Sequence, residues 1–460
     1  MAMKSVAIIK EHSQIRELGS SLKYSILQEL IKNPATCQQL SNIYSISKQK
    51  VHYNLTKLMD EGLIEIAEAH LINNKEVYYQ AIAKNFVLDF SLGDTVSESI
   101  LNTRGIINNI LSSEYKVNLQ DIATNILDNS LRMKPKENLL IVTGRYNLPL
   151  VEKILLEASR RMIRTTLLYQ DIDFMKAKYE EYSLAVFNAD YENFNKLLGL
   201  QDVYLNLNGE SRFVELTDTN KLALRNKHFE KSREIINARK IRVAVMPGLM
   251  HSSLTESAII TELQFWKALD VDYQEQSRKT LALCKEMAGH KKVEVVQGNT
   301  QFDFDVFKVL CESGSFNNSP FQSPVINLPG GEVLILPVEN SMNGMIEADV
   351  AYAFGEKIEH PRIIIRNNEI AEFHADAHEE LIQRAITNGG ADGRKVALIC
   401  MGTNDNIKPQ HVDISHKHKA SGLMTVYWGE NQTLGGKVAG LNEWFIQLEQ
   451  PQIKYKSERG

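Results

Sequence analysis

From residue 138 onward short apolar runs alternate with segments of helical period, and this alternation restricts the larger part of the chain to layered α/β structure. The run LLIVTG at 139–144 precedes a segment in which Val151, Ile154, Leu155 and Ala158 share one helical face. Further runs follow as VYLNLNG at 203–209, IRVAVMPG at 241–248 and VEVVQG at 293–298. An uninterrupted apolar run suits a strand covered on both sides, and the intervening helices supply the cover. Beyond residue 300 the balance shifts to VLILPV, RIIIRNNEIAEF, KVALICMG and GLMTVYWG, separated by Gly, Asn and Asp. That pattern predicts a second lobe rich in strands.

A chain of 460 residues exceeds one ordinary domain. Its net charge of -5 argues against coating nucleic acid without specificity, which needs a dominant basic surface, but leaves room for a local DNA-binding module. No run of about 18 apolar residues is present to span a bilayer, and the opening MAMKSVAIIKEHSQIREL lacks the apolar stretch of a secretory signal. The expected location is cytoplasmic, with no membrane partner. Cys37, Cys284, Cys311 and Cys400 have neither CxxC nor zinc-finger spacing, so they are expected as buried thiols.

The first ninety residues have a different pattern. In SSLKYSILQELIKN, Ile26, Leu27, Leu30 and Ile31 form one helical stripe, closed by Pro34. TCQQLSNIYSIS predicts a short second helix with Leu40 inward and a tight turn through Tyr44 to Ile46, after which Ser47 caps a third helix. On that helix Val51, Leu55 and Leu58 fall at i, i+4 and i+7 and pack inward, leaving Lys48, Gln49, Lys50, His52, Tyr53 and Lys57 outside until Gly62 ends it. The runs LIEIAEAHL and EVYYQAI then predict a hairpin, with Lys75 at its tip.

The phrase SISKQKVHYNLTKLMDEGLIE resembles the ArsR-like winged helix-turn-helix family, over residues of about 20–83. The resemblance implies binding to double-stranded DNA through Ser47, Lys48, Gln49, Lys50, His52, Tyr53 and Lys57, with Lys75 on an adjacent phosphate or the minor groove. It lacks the Cys pair of metal-sensing relatives. A module for protein–protein contact or dimerisation is the other use of such a fold.

Between 300 and 346 the phrases TQFDF and NLPGGEVLILPVENSMNGMIEAD, together with the upstream GRYNLPLVEKILLEASRR, resemble the thermophilic metalloaminopeptidase family that includes aminopeptidase T and AmpS. The resemblance covers roughly residues 135–455 and implies a two-lobed α/β region. That family's chemistry uses two divalent ions held by carboxylate and imidazole ligands. Matched phrase by phrase, one ligand position falls on Glu332, and the others fall on Lys395, Thr425, Glu443 and Phe445. A lysine ammonium repels a dication and phenylalanine has no lone pair, so the metal chemistry is expected to be lost. Lys395 is expected to replace the missing charge by pairing with Glu332 or Glu443.

Two histidine groups offer alternatives. HVDISHKH brings together His411, Asp413, His416 and His418, a candidate metal cluster or a solvated loop, and His374 and His378 at i, i+4 are a helical metal pair or, with no HExxH glutamate between them, a solvated helix face, the reading preferred here. The expected organisation is a winged helix-turn-helix at 1–92, a helical linker at 93–134, an α/β lobe at 135–300 and a β-rich lobe at 301–460 carrying the degenerate metal site. The expected function is a DNA-binding regulator, homodimeric and without catalytic residues, cofactor or metal. Glu332, Lys395, Thr425 and Glu443 would line a site for a small molecule, amino acid or peptide. An active metal-dependent aminopeptidase with an accessory DNA-binding domain is the alternative.

Overall fold

The structure, a computed structural model, describes residues 3–9, 11–67, 77–88, 110–144, 147–170, 172–208, 216–246, 256–408 and 414–456. The chain divides into two compact units, residues 1–116 with 251–263, and residues 117–250 with 264–460. Among the described residues no helix is long and apolar enough to cross a membrane.

The first unit contains helices α1 (His12–Leu18), α2 (Ser21–Lys32), α3 (Cys37–Tyr44) and α4 (Lys48–Asp60). Thr36 and Gln39 form a capping box that starts α3, and Ser45 leaves it in the left-handed conformation at φ 52°. The Ser47 side chain accepts from the Lys50 N–H at 3.3 Å and so starts α4. Leu27, Leu30, Leu40, Val51, Leu55 and Leu58 close one core. Strands Ala35–Thr36, Tyr78–Ala81 and Ile64–Ile66 make a three-stranded antiparallel sheet in that order. Lys4–Ile9 adds a parallel pair with Ala83–Leu88, which the sequence reading did not anticipate.

The second unit holds two sheets. Five parallel strands run in the order Val325–Asn327, Arg242–Val245, Val203–Leu207, Asn138–Thr143 and Arg164–Tyr169. Helix Leu148–Arg160 connects two of them and buries Val151, Ile154 and Ala158 as its spacing predicts. The larger sheet has twelve strands among the described residues and is antiparallel, a curled layer around the main core of the chain. Its strand Thr300–Glu312 pairs with Asn343–Glu347 at one end and with Glu332–Pro337 at the other, with a shift in register between Val306 and Lys308. Such a shift bends a strand and helps a sheet curl.

Two strands change sheets relative to the sequence reading. VEVVQG, read with the α/β layer, lies in Lys292–Gln297 and pairs antiparallel with Thr300–Glu312, because the turn at Gly298 and Asn299 folds it straight back. Val325–Asn327 goes the other way and joins the parallel sheet immediately before the NLPGGEV phrase. The Glu332 strand is thereby tied to both sheets.

Candidate functional site

On α4, Val51, Leu55 and Leu58 are fully buried, joined by Asn54, whose side chain bonds back to the Lys50 carbonyl. The opposite side exposes Lys48, Gln49, Lys50, His52 and Tyr53, with Ser47 exposed at the start and Lys57 half-buried near Asp60 at 3.7 Å. Three lysines, one amide, one imidazole and one phenol thus share a helix surface, a set that can bond phosphates and base edges. Lys75 lies outside the described residues.

In the second unit, antiparallel register places the candidate ligand positions. Glu332 pairs with Gly402. Two residues along, Leu334, Cys400, Thr425 and Gln447 form a row across four strands. Side chains alternate faces, so Glu332, Cys400, Thr425, Glu443 and Phe445 belong to one face. Lys395 does not join them: it immediately precedes the strand Val396–Gly402 and lies seven residues from Gly402, roughly 20 Å or more at the rise of a strand. Its Nζ pairs with Asp392 at 2.8 Å, which corrects the expected pairing with Glu332 or Glu443.

A different lysine takes that place. Lys419 Nζ lies 2.7 Å from Glu312 Oε2 and 3.1 Å from Glu332 Oε1, and His418 Nε2 lies 3.3 Å from Glu332 Oε2. The Lys419 and Glu332 side chains are 5% exposed and Glu312 is fully enclosed. Glu312 Oε1 also accepts the N–H groups of Asn327, at 2.8 Å, and Gly314, at 3.2 Å. Glycine makes this convergence possible: a Cβ on Gly402 would stand 2.0 Å from the Ala420 carbonyl oxygen, so only a bare backbone lets the 419–420 loop lie against the strand opposite Glu332. Gly331, at φ 121° beside Asn404, does the same for the turn that leads into Glu332.

Electrostatics follow from the burial. Burial pushes the Glu332 carboxyl up, but Lys419 and then His418 outweigh it and hold the group well below its ordinary range. For Glu312 burial prevails, opposed by Lys419 and reinforced by the Glu332 charge, so its carboxyl lies above that range. Burial disfavours the Lys419 ammonium, yet the two carboxylates more than compensate and raise it. It is therefore a charged group, not a nucleophile.

The paired-metal chemistry implied by the metalloaminopeptidase resemblance does not fit these residues. An ammonium already lies between the two buried carboxylates. Phe445 packs at a tilt against Tyr427 and Tyr352, with ring centroids 5.2 and 5.4 Å away, where a ligand would be needed. Thr425 is buried and its hydroxyl has no hydrogen-bond partner among the described residues. Among those residues no three His, Cys, Asp or Glu side chains are arranged to hold an ion. His411 and Asp413 lie outside the described residues. His416 packs edge-on against Phe265, with ring centroids 5.1 Å apart. His374 ends a strand and His378 precedes helix Glu379–Asn388 at φ 64°, so the two do not share a helix face as expected. An open cavity of about 600 Å³ elsewhere in this unit is bordered by Asp349, Arg362, Asp376 and Lys417, and none of Glu332, Lys395, Thr425 and Glu443 reaches it.

Sequence reasoning missed Glu312 and Lys419. Lys419 follows the histidine-rich phrase and reads as part of a solvated loop, and Glu312 ends a strand whose paired partner carries Glu332.

No known protein family's sequence profile matches the chain, and no curated protein is similar to it in sequence. Solved structures are similar. AmpT from Thermus thermophilus superposes with a TM-score of 0.55 at 14% identity, over 74% of this chain and 96% of that chain. The 2,5-dihydroxypyridine dioxygenase from Pseudomonas putida KT2440 does so with a TM-score of 0.51 at 12% identity, over 73% of this chain and 93% of that chain. At these identities the likeness is one of fold, and the fold of this chain is aminopeptidase-like.

Proposed function

We propose that the chain is a DNA-binding transcription regulator. In this reading the first unit is a winged helix-turn-helix, and the aminopeptidase-like region is a sensor and dimerisation domain without metal chemistry. The observation that carries the reading is the outer face of α4, where Lys48, Gln49, Lys50, His52 and Tyr53 are all exposed on a helix whose other side is locked in a core. A recognition helix laid in the major groove needs that division of labour. Dimerisation would set two such helices about one DNA turn apart.

The sensor role is supported by the loss of a metal-ligand set and by the mixed-charge cavity. Asp349 and Asp376 could take an ammonium, and Arg362 and Lys417 a carboxylate, the two termini of an amino acid or short peptide. Binding there would bias the spacing of the paired heads if the two spacings differ in affinity for the ligand.

The test is fluorescence anisotropy of the full chain on genomic duplex fragments at about 50 and 200 mM salt, where a protein with several phosphate contacts loses orders of magnitude in affinity. Hydrolysis of aminoacyl chromogenic substrates with added cobalt or zinc is measured in parallel. Salt-dependent DNA binding without hydrolysis supports the proposal. Hydrolysis without DNA binding replaces it with a metal-dependent peptidase.

A further inference from the structure

We propose that Lys419 is a built-in cation of the aminopeptidase-like unit, and that its removal opens a divalent-cation site made by Glu312, Glu332 and His418. The inference rests on the metal-free part of the proposed function and extends it: the site has kept a cation, and that cation is now part of the polypeptide.

Two carboxylates and an imidazole are a donor set that borderline divalent ions favour. Glu312 Oε2 and Glu332 Oε1 both face Lys419 Nζ, at 2.7 and 3.1 Å, and His418 Nε2 stands 3.3 Å from the other oxygen of Glu332. These are hydrogen-bond lengths. At the position of Nζ, metal–oxygen bonds of about 2.0–2.2 Å would require the two carboxylates to close in by roughly 1 Å or less, while His418, whose Nε2 now meets the other Glu332 oxygen, has to turn onto the ion. Lys419 opposes an ion in two ways, by filling the space and by placing a positive charge against it. Buried carboxylates with no cation are costly, so when its own is taken away an enclosed pair like this takes up a proton or, above the raised carboxyl range, a divalent ion offered from solution. The loop supplying Lys419 and His418 is fixed independently of the ammonium, since Asn404 N donates to the Lys419 carbonyl at 2.9 Å and Ser421 N donates to the Asn404 carbonyl at 3.0 Å. Truncating the side chain therefore leaves the backbone scaffold of His418 in place.

The experiment is equilibrium dialysis of the full chain against manganese or zinc chloride, with bound metal counted by elemental analysis, for the unaltered protein, Lys419→Ala, and Lys419→Ala combined with Glu332→Gln. The expected result is at least about 100-fold tighter binding of one ion by Lys419→Ala than by the unaltered protein, lost in the double variant. Lys419→His is prepared as well, in case Lys419→Ala does not fold; recovery of either variant only when the ion is present during refolding supports the proposal. Folded Lys419→Ala or Lys419→His with no gain in metal overturns this inference and leaves the regulator reading intact. One equivalent bound by the unaltered protein, abolished by Glu332→Gln, overturns the inference together with the metal-free part of the proposed function. Binding by Lys419→Ala that survives Glu332→Gln places the ion elsewhere and overturns the inference alone.

Discussion

Replacing Lys419 by methionine keeps most of the side-chain volume and deletes the ammonium, leaving Glu312 and Glu332 buried without their cation. At an effective dielectric of about 20, each contact of near 3 Å is worth roughly 5 kcal/mol of Coulomb attraction, against a desolvation penalty of several kcal/mol for each ion. Breaking such a group by removing one partner costs about 3–5 kcal/mol in measured systems. At about 2–4 °C per kcal/mol for domains of 150–250 residues, and less for a unit of this size, the melting transition of the second unit should fall by about 3–10 °C. The pH dependence separates this mechanism from simple loss of packing. In the unaltered protein Glu332 is held below its ordinary range, so its contribution is present above the unfolded carboxyl value and is lost as pH falls through the lower folded one. In Lys419→Met the ammonium no longer offsets burial, and only His418 beside Glu332 and the backbone N–H groups on Glu312 still oppose it, so both carboxylates rise relative to the unaltered protein. That variant is then relatively most stable below the ordinary carboxyl range and loses stability as pH rises through the raised values. Scanning calorimetry from pH 4 to 8 should show the gap between the two proteins narrowing toward acid. A difference under about 1 kcal/mol at pH 7, or a gap that widens on acidification, would refute the reasoning.

Further outcomes are expected. Gly402→Ala drives a Cβ into the Ala420 carbonyl and should destabilise the second unit by about 1–3 kcal/mol or more, read by chemical denaturation. Lys48→Ala and Lys50→Ala should each weaken DNA binding across all sequences and reduce the salt slope by about one, whereas Gln49→Ala should relax sequence preference, both measured by anisotropy. Native protein should react with Ellman's reagent at Cys37 alone of its four thiols: Cys284, Cys311 and Cys400 are buried, and the Cys400 thiol is pushed up first by burial and then by the Glu332 charge. Chelation with EDTA should leave the melting temperature and DNA affinity unchanged, because the cation of the buried site belongs to the chain.

Local patterns were legible where one element decided the outcome. Val51, Leu55 and Leu58 share a face because of their spacing, Ser47 starts α4 because its hydroxyl reaches the Lys50 N–H, and Val151, Ile154 and Ala158 turn inward on one helix. Glu332 was found through its phrase. The buried ion group was not legible, because it depends on register and close approach across distant segments. Glu312 and Glu332 meet through antiparallel pairing, and Lys419 reaches them only because Gly402 lets the loop lie on the strand. Lys395 was assigned the cation's role by position within a phrase, but strand rise carries it far from Glu332 and toward Asp392. Val325–Asn327 is too short for its pattern to announce which sheet it enters.

DNA affinity sequencing of the full chain on sheared genomic DNA, beside a variant carrying Lys48→Ala, Gln49→Ala and Lys50→Ala, tests the central claim most directly. The regulator account predicts enrichment of a small set of discrete sites sharing a motif, lost in the triple variant while its fold is retained. Equal, motif-free recovery with both proteins, or no recovery at all, would contradict it.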